Sequence, residues 1–263
     1  MEDMRVGLDK DFIQVVDGDR IYFGGNQAWF GNDQDYKGLA AYGCGLIALA
    51  NLVLYLNGKR RLSKEEYICT VNEYMQDPRL QKEMAGRYLI PGLFPSTLRR
   101  LCTSRVESRT LKARWRADAS ANIADIERML REGIPVVMSI GSGTLSLLDD
   151  FKYATNQPNQ RLKLNYYRWS PDSREDGENF TKVLNSQGQE MTIYDHYVTV
   201  TALVRDFDSQ GQEHRYFEIS TWGQKAYVRV DDYQGFVLKS RRGFIHTHIE
   251  RKYWNGYLSV KNM

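Results

Sequence analysis

Between residues 46 and 56 the chain is apolar on every helical face except at Asn51, and Asn57-Gly58 follows at once. Such a run reads as a helix buried all round, and Asn-Gly is a ready left-handed stop. Ser63-Lys64-Glu65-Glu66 matches a capping box, so a second helix is predicted from there to about Met75, with Cys69 in the core. Pro95-Ser96-Thr97 opens a short helix through Leu101 and Cys102. Residues 110–115 set Leu111, Ala113 and Trp115 against Lys112 and Arg114, the alternation of a half-buried strand. Asn122 and Asp125 start a further helix with Ile123, Ile126, Met129 and Leu130 on one face, and Gly133 stops it. The apolar run 134–140 then reads as a buried strand.

The two ends of the chain are β-patterned. Residues 12–23 suggest a short strand or hairpin around Asp17-Gly18-Asp19, followed by the glycine loop Gly24-Gly25-Asn26-Gln27-Ala28-Trp29. From 141 to about 191 the pattern weakens, as in an insertion, and 170–177 reads as an exposed loop. The last third predicts a strand over 196–204, a turn over 206–212 and a returning antiparallel strand over 215–222. Further strands are expected over 226–230, 244–249 and 257–260. The fold class expected is α+β in a single domain over 1–263: a helical half, about 26–133, packed on an antiparallel β-rich half, about 134–263.

Composition narrows the partners. At 263 residues, with 42% hydrophobic and 12% aromatic content, the chain can bury a large core. A net charge of +3, with only short clusters such as Lys59-Arg60-Arg61, singles out neither nucleic acid nor a membrane surface. No apolar run approaches the ~20 residues that span a bilayer, and Met1-Glu2-Asp3-Met4-Arg5 does not open a secretion signal. Cytoplasmic location is expected. Cys44, Cys69 and Cys102 are too few and too scattered for a disulfide framework, so reduced thiols are expected.

Cys44 carries the candidate chemistry. It precedes the buried helix between Gly43 and Gly45. Unpaired N–H groups and the positive dipole end at a helix start favour a thiolate. Acyl transfer by cysteine also needs a base, a group that orients the base, and donors for the oxyanion. His196, at a strand start behind Asp195, is the candidate base. Ser220 or Thr221 on the returning strand is the orienter, and Gln27 or Gln34 with the Cys44 N–H supplies the oxyanion donors. Adjacent residues on a strand face opposite sides, so Asp195 is not chosen as orienter. Trp29 and Trp222 are the aromatic candidates for substrate contact.

In this order of parts the sequence resembles the papain-like cysteine peptidases, closest to bacterial peptidases related to those that cut double-glycine leaders from bacteriocin precursors. The resemblance rests on Gln27 upstream of Gly43-Cys44-Gly45, on Gly133 before Pro135-Val136-Val137, on Asp195-His196-Tyr197-Val198-Thr199-Val200, and on Ile219-Ser220-Thr221-Trp222-Gly223. It implies a cysteine-bearing helical part on an antiparallel sheet bearing the histidine, and hydrolysis of peptide or protein substrates without a metal or other cofactor. Two features depart from the family pattern. Ser220 stands where the family has its orienting Asn, and Gly38 stands where it has its Gln, six residues before the cysteine. The alternatives are a catalytically inactive papain-like domain that binds a peptide, and a metal site formed by Cys44 with His246 and His248.

Overall fold

The computed structural model describes residues 5–31, 39–85, 95–108, 110–141, 162–170, 179–208, 210–240 and 255–263. The elements begin with β1 (Arg5–Gly7), β2 (Gln14–Asp17), β3 (Arg20–Phe23), α1 (Leu39–Tyr42), α2 (Cys44–Leu56), β4 (Arg61–Ser63) and α3 (Lys64–Met75). There follow α4 (Pro78–Ala85), α5 (Pro95–Arg105), β5 (Leu111–Arg116), α6 (Ile123–Arg131), β6 (Val136–Ile140), β7 (Leu164–Asn165), β8 (Tyr167–Trp169) and β9 (Phe180–Lys182). The chain closes with β10 (Thr192–Ile193), β11 (His196–Phe207), β12 (Glu213–Thr221), β13 (Gln224–Arg229), α7 (Val230–Ser240) and β14 (Tyr257–Asn262).

All of α2 is buried, as its lack of a polar face requires, and Gly58 (φ 82°) follows its end. It packs on β11 and β6 on one side and on α3 and α5 on others. The capping box at Ser63 forms in full: Ser63 Oγ accepts from the Glu66 N–H, and the Glu66 carboxylate accepts from the Ser63 N–H. Helix α3 ends at Met75 as the pattern predicts. Asn122 precedes α6 without a side-chain cap; its amide donates instead to the Asp118 carbonyl at 2.9 Å.

Among the described residues the main sheet runs β5-β14-β6-β11-β12-β13-β8-β9, with β1 also pairing β11, and its pairings are antiparallel. The result is mixed α+β with one large antiparallel sheet. A smaller sheet, β3-β2-β4, contains the hairpin read around Asp17. Parts of the expected insertion join the main structure, since β8 and β9 extend the sheet beyond β13. Residues 142–161 and 171–178, and the strand expected over 244–249, lie outside the described residues. No described helix is long and apolar enough to cross a membrane.

One expectation is corrected here. Cys69 is exposed, because the buried positions of α3 are Tyr67, Val71 and Tyr74, and residue 69 falls on the far side of that stripe. Cys102 is buried on α5 as expected.

Leu49 is fully buried at the centre of α2, whereas Leu238 on α7 is 63% exposed. Leu49→Ala is expected to cost about 2–5 kcal/mol in chemical denaturation, and Leu238→Ala less than about 0.5 kcal/mol.

Candidate active site

Cys44 is the first residue of α2 and His196 the first of β11. Packing α2 on β11 brings both into the wall of one narrow pocket, together with Gln27, Asn51, Ser220, Thr221 and Trp222. The Cys44 thiol lies against the backbone N–H groups of Tyr197, Gly45 and Cys44 itself. No hydrogen bond joins the thiol to the imidazole among the described residues.

Of the two orienter candidates, Thr221 is the one that reaches the imidazole. Its Oγ1 lies 2.9 Å from His196 Nε2. Ser220 Oγ instead donates to the Phe23 carbonyl at 2.6 Å and lies 3.5 Å from Asn51 Nδ2. The sheet register explains the difference. Thr199 pairs with Ser220, so Ser220 shares a face with Thr199, whereas Thr221 takes the opposite face, with Val198 and His196.

Beyond Thr221 the chain turns at Trp222-Gly223, and Thr221 pairs with Gln224 across a two-residue hairpin loop. Both loop residues have positive φ, 47° and 73°, as the primed hairpin turns require. For a tryptophan this is an uncommon conformation. It lays the indole on the imidazole, with ring centroids 4.4 Å apart and planes 21° from parallel.

Gln27 begins a short 3-10 turn, Gln27–Phe30, capped by Asn26, whose side chain accepts from the Ala28 N–H. Gln27 Nε2 donates to the Ala40 carbonyl at 2.7 Å, which fixes the amide at the pocket and leaves it a second N–H. Gln34, His246 and His248 lie outside the described residues. Trp29 does not line the pocket; it packs edge-on against Tyr22 and Tyr67.

Sequence reasoning assigned no role to Asn51, although it is the one polar residue on α2 and lies two turns after Cys44, on the same face. Its Oδ1 accepts from the Gly25 N–H at 3.0 Å and from the Tyr67 hydroxyl at 2.8 Å. Gly25 is needed here, since a Cβ would collide with the Tyr67 ring.

No protein-family model and no curated protein sequence matches this chain. The chemistry of the site therefore rests on its own geometry and electrostatics.

Burial governs both key groups. It pushes the Cys44 thiol up from 9.0 to about 11, and the N–H groups of Tyr197, Gly45 and Cys44 only partly offset it. Burial also lowers the His196 imidazole from 6.5 to about 3. The thiolate expected from the helix start is thus a neutral thiol, in the same pocket as a neutral imidazole. Desolvation disfavours each charge more than the helix end favours one of them.

The depressed imidazole sets a pH dependence of stability. Between about pH 6.5 and 3 the unfolded chain binds a proton at His196 that the folded chain does not, so stability falls as pH drops through that window. Urea denaturation at pH 7 and pH 4 should show wild type losing more stability than His196→Phe, by up to roughly 1.4 kcal/mol per pH unit.

Proposed function

We propose that this chain is a cysteine-dependent hydrolase of peptide bonds, with Cys44 as nucleophile, His196 as base and Thr221 as the group that orients it. One observation carries the reading: a helix-start cysteine and a strand-start histidine line the same pocket, and the histidine's Nε2 is held by a hydroxyl. With Thr221 Oγ1 as acceptor, Nε2 carries the ring proton and Nδ1 is the base. The arrangement fits the papain-like resemblance in its helix on an antiparallel sheet. It departs in using Thr221, one position beyond the residue that aligns with the family's orienting Asn. Free Cys44, Cys69 and Cys102 fit a reducing compartment, and the cytoplasm is the location we propose.

In this mechanism His196 Nδ1 takes the thiol proton as the sulfur attacks the substrate carbonyl carbon. The carbonyl π pair moves onto oxygen, which accepts from the free Gln27 N–H and the Cys44 N–H. Collapse breaks the C–N bond, the imidazolium proton passes to the leaving amine, and a thioester remains on Cys44. A water that gives its proton to His196 then releases the acid and the thiol. A second reading, a peptide-binding domain without turnover, is favoured by the neutral resting state of both groups.

p-Nitrophenyl acetate is small enough to separate the two readings. Wild type is expected to release p-nitrophenolate in a burst with one acetyl group on Cys44 by peptide mass mapping, and Cys44→Ala to show none. His196→Ala should acylate about 10²–10⁴-fold more slowly, the usual contribution of a positioned base. Acylation of Cys44 no faster than that of exposed Cys69, or indifferent to His196, would leave the binding domain as the better account.

A further inference from the structure

Asn51 is 1% exposed on a helix whose other buried residues are nearly all apolar. An amide is costly there unless all its polar atoms are used. Its partners come from three separate elements: Gly25 on the loop before Gln27, Tyr67 on α3, and Ser220 on β12. Ser220 in turn donates to the carbonyl of Phe23, at the start of the same loop. The loop is therefore tied down at both Phe23 and Gly25, and it lies so close to the phenol ring of Tyr67 that no side chain fits at Gly25. Two residues later comes Gln27, whose amide is fixed from the other side by the Ala40 carbonyl. On β12, Ser220 is the immediate neighbour of Thr221, which holds His196.

We infer that Asn51 is the positioning residue for the oxyanion side of the Cys44 site, holding the Gly24-Gly25 loop so that Gln27 meets the substrate oxygen; this rests on the acyl-transfer reading above. Two turns of one rigid helix separate Asn51 from Cys44, so the nucleophile and the anchor of the oxyanion donor move as one body. Losing the amide frees the loop by fractions of an ångström. Such a shift weakens a transition-state hydrogen bond while leaving the thiol in place.

Two small reagents separate positioning from packing. N-Acetylglycinal adds to a thiol as a hemithioacetal: the S–C bond forms, the C=O π bond breaks, and the thiol proton ends on the former carbonyl oxygen. On the acyl-transfer reading that oxygen sits where the Gln27 N–H donates, and it gains that bond on addition. Iodoacetamide alkylates the same sulfur with loss of iodide and a proton and creates no such oxygen. In a Cys69→Ser background, N-acetylglycinal should protect Cys44 from iodoacetamide, read by peptide mass mapping at pH 8.5. In Asn51→Ala the protecting concentration should rise about 10–100-fold, below the full loss expected for deleting a donor. The rate of iodoacetamide labelling without aldehyde, and its pH profile, should stay within about twofold. Tyr67→Phe, which keeps the amide and removes one of its partners, should shift protection in the same direction by less, and it carries the test if Asn51→Ala does not fold. Unchanged protection in the variant that folds overturns the inference. So does a parallel loss of both readouts, which marks Asn51 as packing alone. Absence of protection in the Cys69→Ser parent, with Asn51 intact, overturns the acyl-transfer reading itself and the inference with it.

Discussion

A helix without a polar face has to be enclosed, and α2 dictates where everything else goes. The sheet covers it through β6 and β11, while α3 and α5 cover other sides. Its first residue is consequently delivered to the junction of helix and sheet rather than to the surface. The same burial that brings Cys44 beside β11 removes the water that a charged sulfur would need. The end of a helix contributes about 0.3–1 kcal/mol to a nearby charge. Even with the backbone N–H groups opposing it, burial leaves the thiol raised from 9.0 to about 11, about 3 kcal/mol against the thiolate. Burial wins, and the position of a cysteine at a helix start is not enough to charge it.

In the proposed mechanism, proton transfer and attack have to be coupled. With the imidazole near 3 and the thiol near 11, the proton stays on sulfur in the free protein. On the proposed reading, the cost of separating the charges is met by a substrate whose carbonyl accepts the sulfur's electrons as the proton leaves. On this account the oxyanion donors matter more than the resting ionisation of the cysteine. A site of this kind gains from rigid placement of Gln27 more than from further acidification of Cys44.

Local signals survived the passage from sequence to structure, and signals that depend on register did not. The capping box at Ser63, the all-apolar α2 and the hairpin of β11 and β12 were each legible because neighbouring residues specify them. Thr221 and Ser220 were indistinguishable because only the pairing of Thr199 with Ser220 decides which hydroxyl faces His196. Cys69 was a misreading of a signal that was present: Tyr67, Val71 and Tyr74 mark the buried stripe, and residue 69 is off it. The helix α7 was missed although Val230, Tyr233, Phe236 and Val237 are buried at helical spacing, because Gly235 interrupts the pattern. Strands β8 and β9 are three residues each, too short for an alternation to stand out, and they exist because β8 pairs with β13 and β9 with β8.

The turn at Trp222-Gly223 shows where the fold accepts a local cost. A bulky aromatic at φ 47° is an outlier, and glycine or asparagine would relieve it at no loss to the hairpin. What neither substitute provides is the indole. Stacked at 4.4 Å, it covers one face of the imidazole and removes water from the ring. With the rest of the surrounding core it keeps His196 buried, and burial is what lowers the imidazole. It also shields the bond between Nε2 and Thr221 from competition by solvent, which a hydroxyl needs more than a carboxylate would because it brings no charge of its own. On the proposed reading, a neutral orienter is workable at this site because an aromatic ring covers it, and the positive φ at Trp222 is what places that ring.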